Sequence, residues 1–276
     1  MLVRKTLTLA AAAATALITL TGCAGGSTPA TSAASATGAA SMPAADLKWV
    51  EAGTLTACSD VPYPPFEVED ASAPSGYSGF DVEVMDAIAK KLGLTLKVLD
   101  VDFNSLQSGT VLVAGQCDVG MSAITITEAR KANLDFTAPY YDSLQSLLVK
   151  ADSGVTNLAG LAGKKIGVQT GTTGKSYAEK NKPASAELVE FPSDGELWPA
   201  IQAKQIDAIL QDLPVNRTHE KADPTYKIVE TYKTDEQYGF AMAKGKNPTL
   251  LAAVNEQLAA LRADGSYDTL YKKYFD

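Results

Sequence analysis

The chain has 276 residues, with 24 Lys and Arg against 32 Asp and Glu, three Cys and a single His, His219. A net charge of −8 supplies no basic face to displace counterions, which argues against nucleic-acid binding, and one imidazole excludes any site that needs two. With 46% hydrophobic and 20% charged residues, most of the chain can bury a core, as one large or two small domains.

Arg4 and Lys5 open the chain, followed by an uncharged Ala/Leu-rich run from Leu7 to Leu20. At about 14 residues this run is shorter than the ~20 that span a bilayer, and it suits the apolar part of an export signal. It ends in Leu20-Thr21-Gly22-Cys23, which resembles the bacterial lipobox, whose Cys is lipidated and becomes the new N-terminus. An ordinary secretory signal with a chance Cys is the alternative. Residues 1–23 are therefore read as a lipoprotein signal, and residues 24–45, almost all Ala, Gly, Ser, Thr and Pro, as a flexible linker. Subtracting Arg4 and Lys5 leaves 22 basic against 32 acidic residues, a balance of −10 for the exported part. Cys58 and Cys117 would then share an oxidising compartment, where a disulfide is possible. The strand register puts them several residues out of step, and two buried thiols are the simpler expectation.

From residue 46 the pattern alternates strand and helix. Thr54 to Ser59 reads as a strand, and Phe80, Val84, Ile88 and Leu92 form the apolar stripe of a helix stopped by Gly93. Leu94 to Val98 alternates as a strand, Ser105 to Gly115 is a weaker helix, and Val119 to Ile124 a third strand. After Lys150 come a strand at Lys165–Val168, a helix at Ser176–Asn181 and a strand at Leu188–Phe191. Ser193 and Glu196 form a capping box for a helix reaching Ala203, with a strand at Ile206–Leu210. Tyr238–Ala243 is a strand; Asn247 and Pro248 start a strong helix that Gly265 closes before a last short helix. This β-α order implies α/β architecture with mostly parallel sheets.

In such sheets ligands bind beyond the carboxyl ends of strands. The residues there include Asp60, Tyr63, Phe103, Ala123, Thr125, Arg130, Gln169, Thr173, Gln211 and Asp212. They offer acids, hydroxyls, two rings and one Arg, which are counter-groups for a small zwitterion, with no nucleophile–base pair among them. Gly171 to Ser176 reads like the tail of a phosphate-binding loop, but Gln169 stands where that motif needs Gly.

Gly79-Phe80-Asp81-Val82-Glu83, Thr125-Ile126-Thr127-Glu128-Ala129-Arg130-Lys131 and Leu134 to Tyr141 together resemble the family 3 solute-binding proteins of polar amino-acid ABC transporters. The resemblance runs in order from about residue 50 to 276. It implies two α/β lobes joined by two strands: residues 46–146 with 239–276, and 147–238, crossing near Leu147–Val149 and Tyr238–Phe240. It also implies that Arg130 pairs with a ligand α-carboxylate, served further by Thr125 and by Thr173 main-chain N–H. Asp212 and the Ala123 carbonyl would take the α-ammonium, Asp60 the side chain, and Tyr63 and Phe103 would sandwich that side chain. Gln169 and Gln211 occupy variable positions that either tune specificity or merely line the cleft.

With Arg130 and Asp212 used by the α-groups, Asp60 favours a basic amino acid, with glutamine next, over glutamate or aspartate. The resemblance implies a monomeric, non-catalytic carrier, without metal or cofactor. It would be held by Cys23 at the outer face of a bacterial membrane and deliver its ligand to a permease. A cyclohexadienyl or arogenate dehydratase on the same fold is the rival. Such an enzyme needs an acid or base in the cleft, and the sequence places no His there.

Overall fold

A computed structural model describes residues 48–276. The export signal, Cys23 and the whole linker lie outside the described residues.

Strand β1 (Thr54–Ser59) leads through two short hairpin strands, β2 (Val68–Glu69) and β3 (Tyr77–Ser78), into helix α1 (Phe80–Lys91) and β4 (Thr95–Asp100). Two single-turn helices follow, α2 (Phe103–Gln107) and α3 (Thr110–Val113), where one helix is expected. Gly109 separates them at φ 85°, a left-handed conformation that no helix continues through. Next come β5 (Val119–Gly120), α4 (Glu128–Lys131), β6 (Leu134–Phe136) and the long β7 (Tyr141–Lys150). The remainder is β8 (Lys165–Gln169), α5 (Thr173–Asn181), β9 (Glu187–Phe191), α6 (Asp194–Gln202), β10 (Ala208–Asp212), α7 (Leu213–Ala222), β11 (Tyr226–Tyr238), β12 (Ala241–Ala243), α8 (Pro248–Ala263) and α9 (Ser266–Phe275). Asn247 caps α8, its Oδ1 accepting the Leu250 N–H at 3.1 Å.

The strands form two five-stranded sheets, ordered β4-β1-β5-β12-β6 and β11-β7-β10-β8-β9. In each, four strands run the same way and one, β12 or β7, runs against both its neighbours, so the mostly parallel expectation is met by mixed sheets with a single reversed strand. Both faces of both sheets are covered. Leu55 and Ala57 face a core shared with α1 and α8, while Cys58 faces Phe103, Leu106 and Leu112. Leu147 and Val149 likewise face one core of the second sheet and Leu148 the other.

Cys58 and Cys117 are joined by a disulfide, with Cα atoms 5.8 Å apart, correcting the expectation of two thiols. The register argument assumed that Cys117 extends the line of the third strand. That strand holds only Val119–Gly120, and Cys117 instead packs on the sheet face with Cys58, Val111 and Leu112. The crossing expected at Leu147–Val149 also lies elsewhere. Those residues pair with Ala208–Leu210 well inside the second sheet, and the chain leaves the first sheet between β6 and Tyr141. β7 pairs along its length with β11, from Tyr226–Lys150 to Tyr238–Tyr141, with ladder shifts at Ile228/Glu230 and Tyr232/Glu236.

Gly79 fixes the entry to α1. At φ 129° it lies so close to the preceding loop that a Cβ would sit 2.1 Å from the Phe66 carbonyl oxygen and 2.8 Å from Glu67 N. Gly79→Ala is expected to destabilise the protein by ~3 kcal/mol or more in urea unfolding, since strain and backbone overlap add. Gly53→Ala, at φ 76° with open space around it, should cost only about 1 kcal/mol.

Candidate functional site

Asp60, Tyr63, Phe103, Ala123, Thr125 and Arg130, all from the first sheet's connections, line one narrow cavity together with Gln169, Thr173 and Asp212 from the second. Nine of the ten residues singled out in the sequence are therefore brought to one place. Ser122 and Thr172 complete the lining.

Arg130 is buried, 6% exposed, on the single turn of α4, which Thr127 caps by accepting the Arg130 N–H. Its guanidinium donates to the Thr125 carbonyl at 2.8 Å, to the Gly171 carbonyl on the other sheet's side at 3.0 Å, and to Gln107 Oε1 at 3.3 Å. It also lies 5.3 Å from the centre of the Phe103 ring. Burial lowers its pKa to about 10, opposed by Asp212 and Glu236, so it remains a cation at neutral pH.

The anionic end is Asp212, at the end of β10. Its carboxylate accepts from Gln145 Nε2 and from the Tyr238 hydroxyl, whose oxygen lies 2.7 Å from Ser143 Oγ. Gln145 Nε2 further donates to Glu236 Oε2 at 2.8 Å, so two acids share one amide. Burial raises both, Glu236 to about 7, and the nearby Arg130 charge opposes that rise. Across the cavity Thr125 Oγ1 and Thr173 Oγ1 stand 3.4 Å apart.

Asp60, 5% exposed, accepts from Gln169 Nε2 at 2.6 Å, and that amide also donates to the Pro192 carbonyl at 3.0 Å. Burial is the main reason that its carboxyl is lifted to about 7; Asp100, Asp102 and Glu196 add to it, and Gln169 opposes it. Beside it, Ala123 adopts φ 46°, a left-handed conformation that costs a residue with a Cβ ~1–2 kcal/mol.

Gln211 does not reach the cavity. Side chains alternate along a strand, so while Asp212 faces the cavity, Gln211 turns to the opposite side and donates to Asp194 at 2.9 Å and Asn216 at 3.1 Å. Tyr63 and Phe103 both line the space. Lys175, the last cation of the phosphate-loop lookalike, pairs with Glu179 and Glu190. Sequence reasoning missed Gln145, Glu236 and Tyr238, which sit within or at the end of β7 and β11. A lone amide in the apolar run from Leu144 to Val149 was the available signal for Gln145. Among the described residues no cluster of His, Cys, Asp and Glu is suited to a metal ion, and no helix is long and apolar enough to cross a membrane.

A carboxyl lifted to about 7 binds a proton in the folded chain that the unfolded chain has already released, so stability falls as pH rises from about 4 through 7. Asp60→Asn keeps an acceptor for Gln169 and removes that loss. Its melting temperature should exceed that of the parent by several degrees at pH 8 and match it at pH 4, measured by scanning calorimetry.

Residues 55–276 match the model of the bacterial extracellular solute-binding proteins, family 3. Over 218 residues the chain is 34% identical to the arginine-binding extracellular protein ArtP of Bacillus subtilis (strain 168), covering 77% of this chain and 82% of that protein. An ancestral arginine-binding protein solved bound to arginine superposes with a TM-score of 0.73 at 33% identity, covering 81% of this chain and 99% of its own. The ancestral amino-acid-binding protein AncCDT-1, a precursor of cyclohexadienyl dehydratase, superposes at 0.74 with 33% identity, over 81% and 96%. With a buried cation and a buried anion facing one cavity between two mixed sheets, and a family match over four-fifths of its length, the chain belongs to the family 3 bacterial extracellular solute-binding proteins.

Proposed function

We propose that the cavity captures a free, basic amino acid, with arginine first and glutamine next, for delivery to an ABC-type permease in the membrane. The observation that carries this reading is the placement of charge. Arg130 offers a planar donor fork suited to an α-carboxylate, Asp212 an acid suited to an α-ammonium, and Asp60 a third charge for a cationic side chain. Glutamate and aspartate would put a second anion beside Asp60. The name of ArtP and the arginine-bound ancestral structure support the same choice.

The two sheets act as lobes that close on the ligand, since groups from both are needed to meet its two poles. Lobe one comprises residues 48–140 with 239–276 and lobe two residues 141–238, the division that the pairing of β7 with β11 supports in place of a boundary at 146. Cys23 carries the lipid anchor on the outer face of the cell membrane. Labelled fatty acid should be incorporated by the full chain in cells and lost in Cys23→Ser; equal labelling of the two would end that assignment.

The dehydratase reading is less favoured, though Asp60 does titrate near neutral pH, so absence of His does not leave the cleft without an acid. Turnover of arogenate by purified protein would establish it.

Binding should be accompanied by proton release. Asp60 is largely protonated at pH 6, and a guanidinium beside it would draw the proton off. Calorimetry should therefore show arginine affinity falling about tenfold between pH 8 and pH 5.5, near one pKa unit of linkage, with a smaller fall for glutamine. Small-angle scattering should show the protein becoming more compact in saturating arginine. Tighter binding of glutamate than of arginine at pH 8 would overturn the charge argument.

A further inference from the structure

Behind the cavity lie two acids that contact with an amino acid does not explain. Glu67 follows Phe66 in the loop before β2, and Asp81 stands in the first turn of α1; both are wholly buried. Their backbones are close, Asp81 N–H donating to the Phe66 carbonyl at 3.1 Å. Asp81 Oδ2 accepts the Ala123 N–H at 2.9 Å and the Tyr140 hydroxyl at 2.6 Å. Glu67 Oε1 accepts from Ser122 Oγ at 2.8 Å, and Ser122 Oγ in turn accepts the Asp60 N–H at 3.1 Å. One oxygen of each acid, Glu67 Oε2 and Asp81 Oδ1, is buried without a partner.

The titratable groups that face the pair from neighbouring elements are Asp60, Tyr63, Tyr140 and Tyr267, none of them a cation. Two neighbouring carboxylates in such surroundings cannot both hold a negative charge, and two buried lone oxygens need a proton between them. We infer that Glu67 and Asp81 share one proton taken from solvent, held on Glu67, and that this singly charged pair positions the Asp60 and Ala123 backbone at the cavity. The proton belongs on Glu67 because Asp81 already has two donors stabilising its anion, whereas Glu67 has one. Burial and the Asp81 charge push Glu67 well above the usual carboxylate range, in keeping with that assignment. The pair thus holds both ends of the Asp60–Ala123 wall, Glu67 through Ser122 and Asp81 directly, and loss of its proton would leave two buried negative charges behind that wall.

Infrared difference spectroscopy of the whole protein tests the proton directly. At pH 9, where Asp60 and Glu236 are ionised, the parent minus Glu67→Gln should show the C=O stretch of a protonated, buried carboxyl. A flat difference spectrum overturns the shared proton. Gln at this position still accepts from Ser122 and, like the protonated Glu67, carries no charge beside Asp81. It should therefore bind L-arginine within about threefold of the parent at pH 7.5 and keep that affinity at higher pH than the parent does. Glu67→Ala should weaken binding by about tenfold or more. A Gln variant as weak as the Ala variant, or with an unchanged alkaline limb, overturns the positioning role, and the Gln variant and infrared measurement decide the matter even if the Ala variant does not fold. The affinity arms rest on the amino-acid reading proposed above. Failure of the parent to bind arginine would strike that reading alone, because the infrared band needs no ligand.

Discussion

A guanidinium buried at the seam between two sheets constrains everything around it. Arg130 satisfies three of its donors with one carbonyl from its own side, one from the opposite side and one side-chain amide, and rests on an aromatic ring. Buried charges are tolerated only when they are paired and hydrogen-bonded. The one-turn helix α4, capped by Thr127, holds the side chain where Gly171 can meet it from the other sheet. A lysine at this place could neither fork nor spread its charge over the same three acceptors. The geometry of the cavity is thus set by the needs of one cation.

Around that cation the acids outnumber it. Asp60, Asp212 and Glu236 all have carboxyls raised mainly by burial, and Asp60 and Glu236 stand near 7. Such groups lower the stability of the folded chain as pH rises toward neutral, and a positive charge brought among them relaxes that penalty. Weak folding stability at the cavity and strong attraction for cationic groups are in this sense one property. The disulfide between Cys58 and Cys117 lies at the same end of the first sheet, beside Phe103 and Leu106, and closes a 59-residue loop there. By the loop-entropy argument such a bridge contributes about 4 kcal/mol, which sets a covalent constraint beside the most charged part of the molecule.

Local signals in the sequence were legible where local interactions decide the structure. The stripe of α1, the Asn247 cap of α8, the short strand β1 and the alternating strand β4 all read correctly for that reason. β7 and β11 were not legible. Leu144 to Val149 is covered on both faces, which removes the alternation, and β11 takes its place only by pairing with β7 through two ladder shifts. Helix α7 begins at Leu213-Pro214 and buries Val215 beside the polar Asn216 and His219, so its inner face carries no apolar stripe to read. For the cavity, attention to residues after strands found nine lining side chains and passed over Gln145 and Glu236, which lie inside strands. The exclusion of Gln211 was readable in principle, since its neighbour Asp212 already claims the cavity side and strand side chains alternate.

The partners chosen for the buried acids explain why the cavity keeps a negative character despite Arg130. Asp212 is held by an amide and a phenol, Asp60 by an amide, Asp81 by a peptide N–H and a phenol, and Glu67 by a serine hydroxyl. All of these donors are neutral. A lysine or arginine in any of those places would fix the carboxylate equally well but would cancel its charge before an incoming cation could use it. Neutral donors orient an anion and leave its field intact, and in the low dielectric of a buried cleft that field is stronger than it would be in water. The donors to Asp212 add a second consequence, because Gln145 and Tyr238 come from β7 and β11, the two strands adjoining the passages between the sheets. Asp212 is therefore oriented by the connections between the sheets, so a shift of either strand must act on that acid as well.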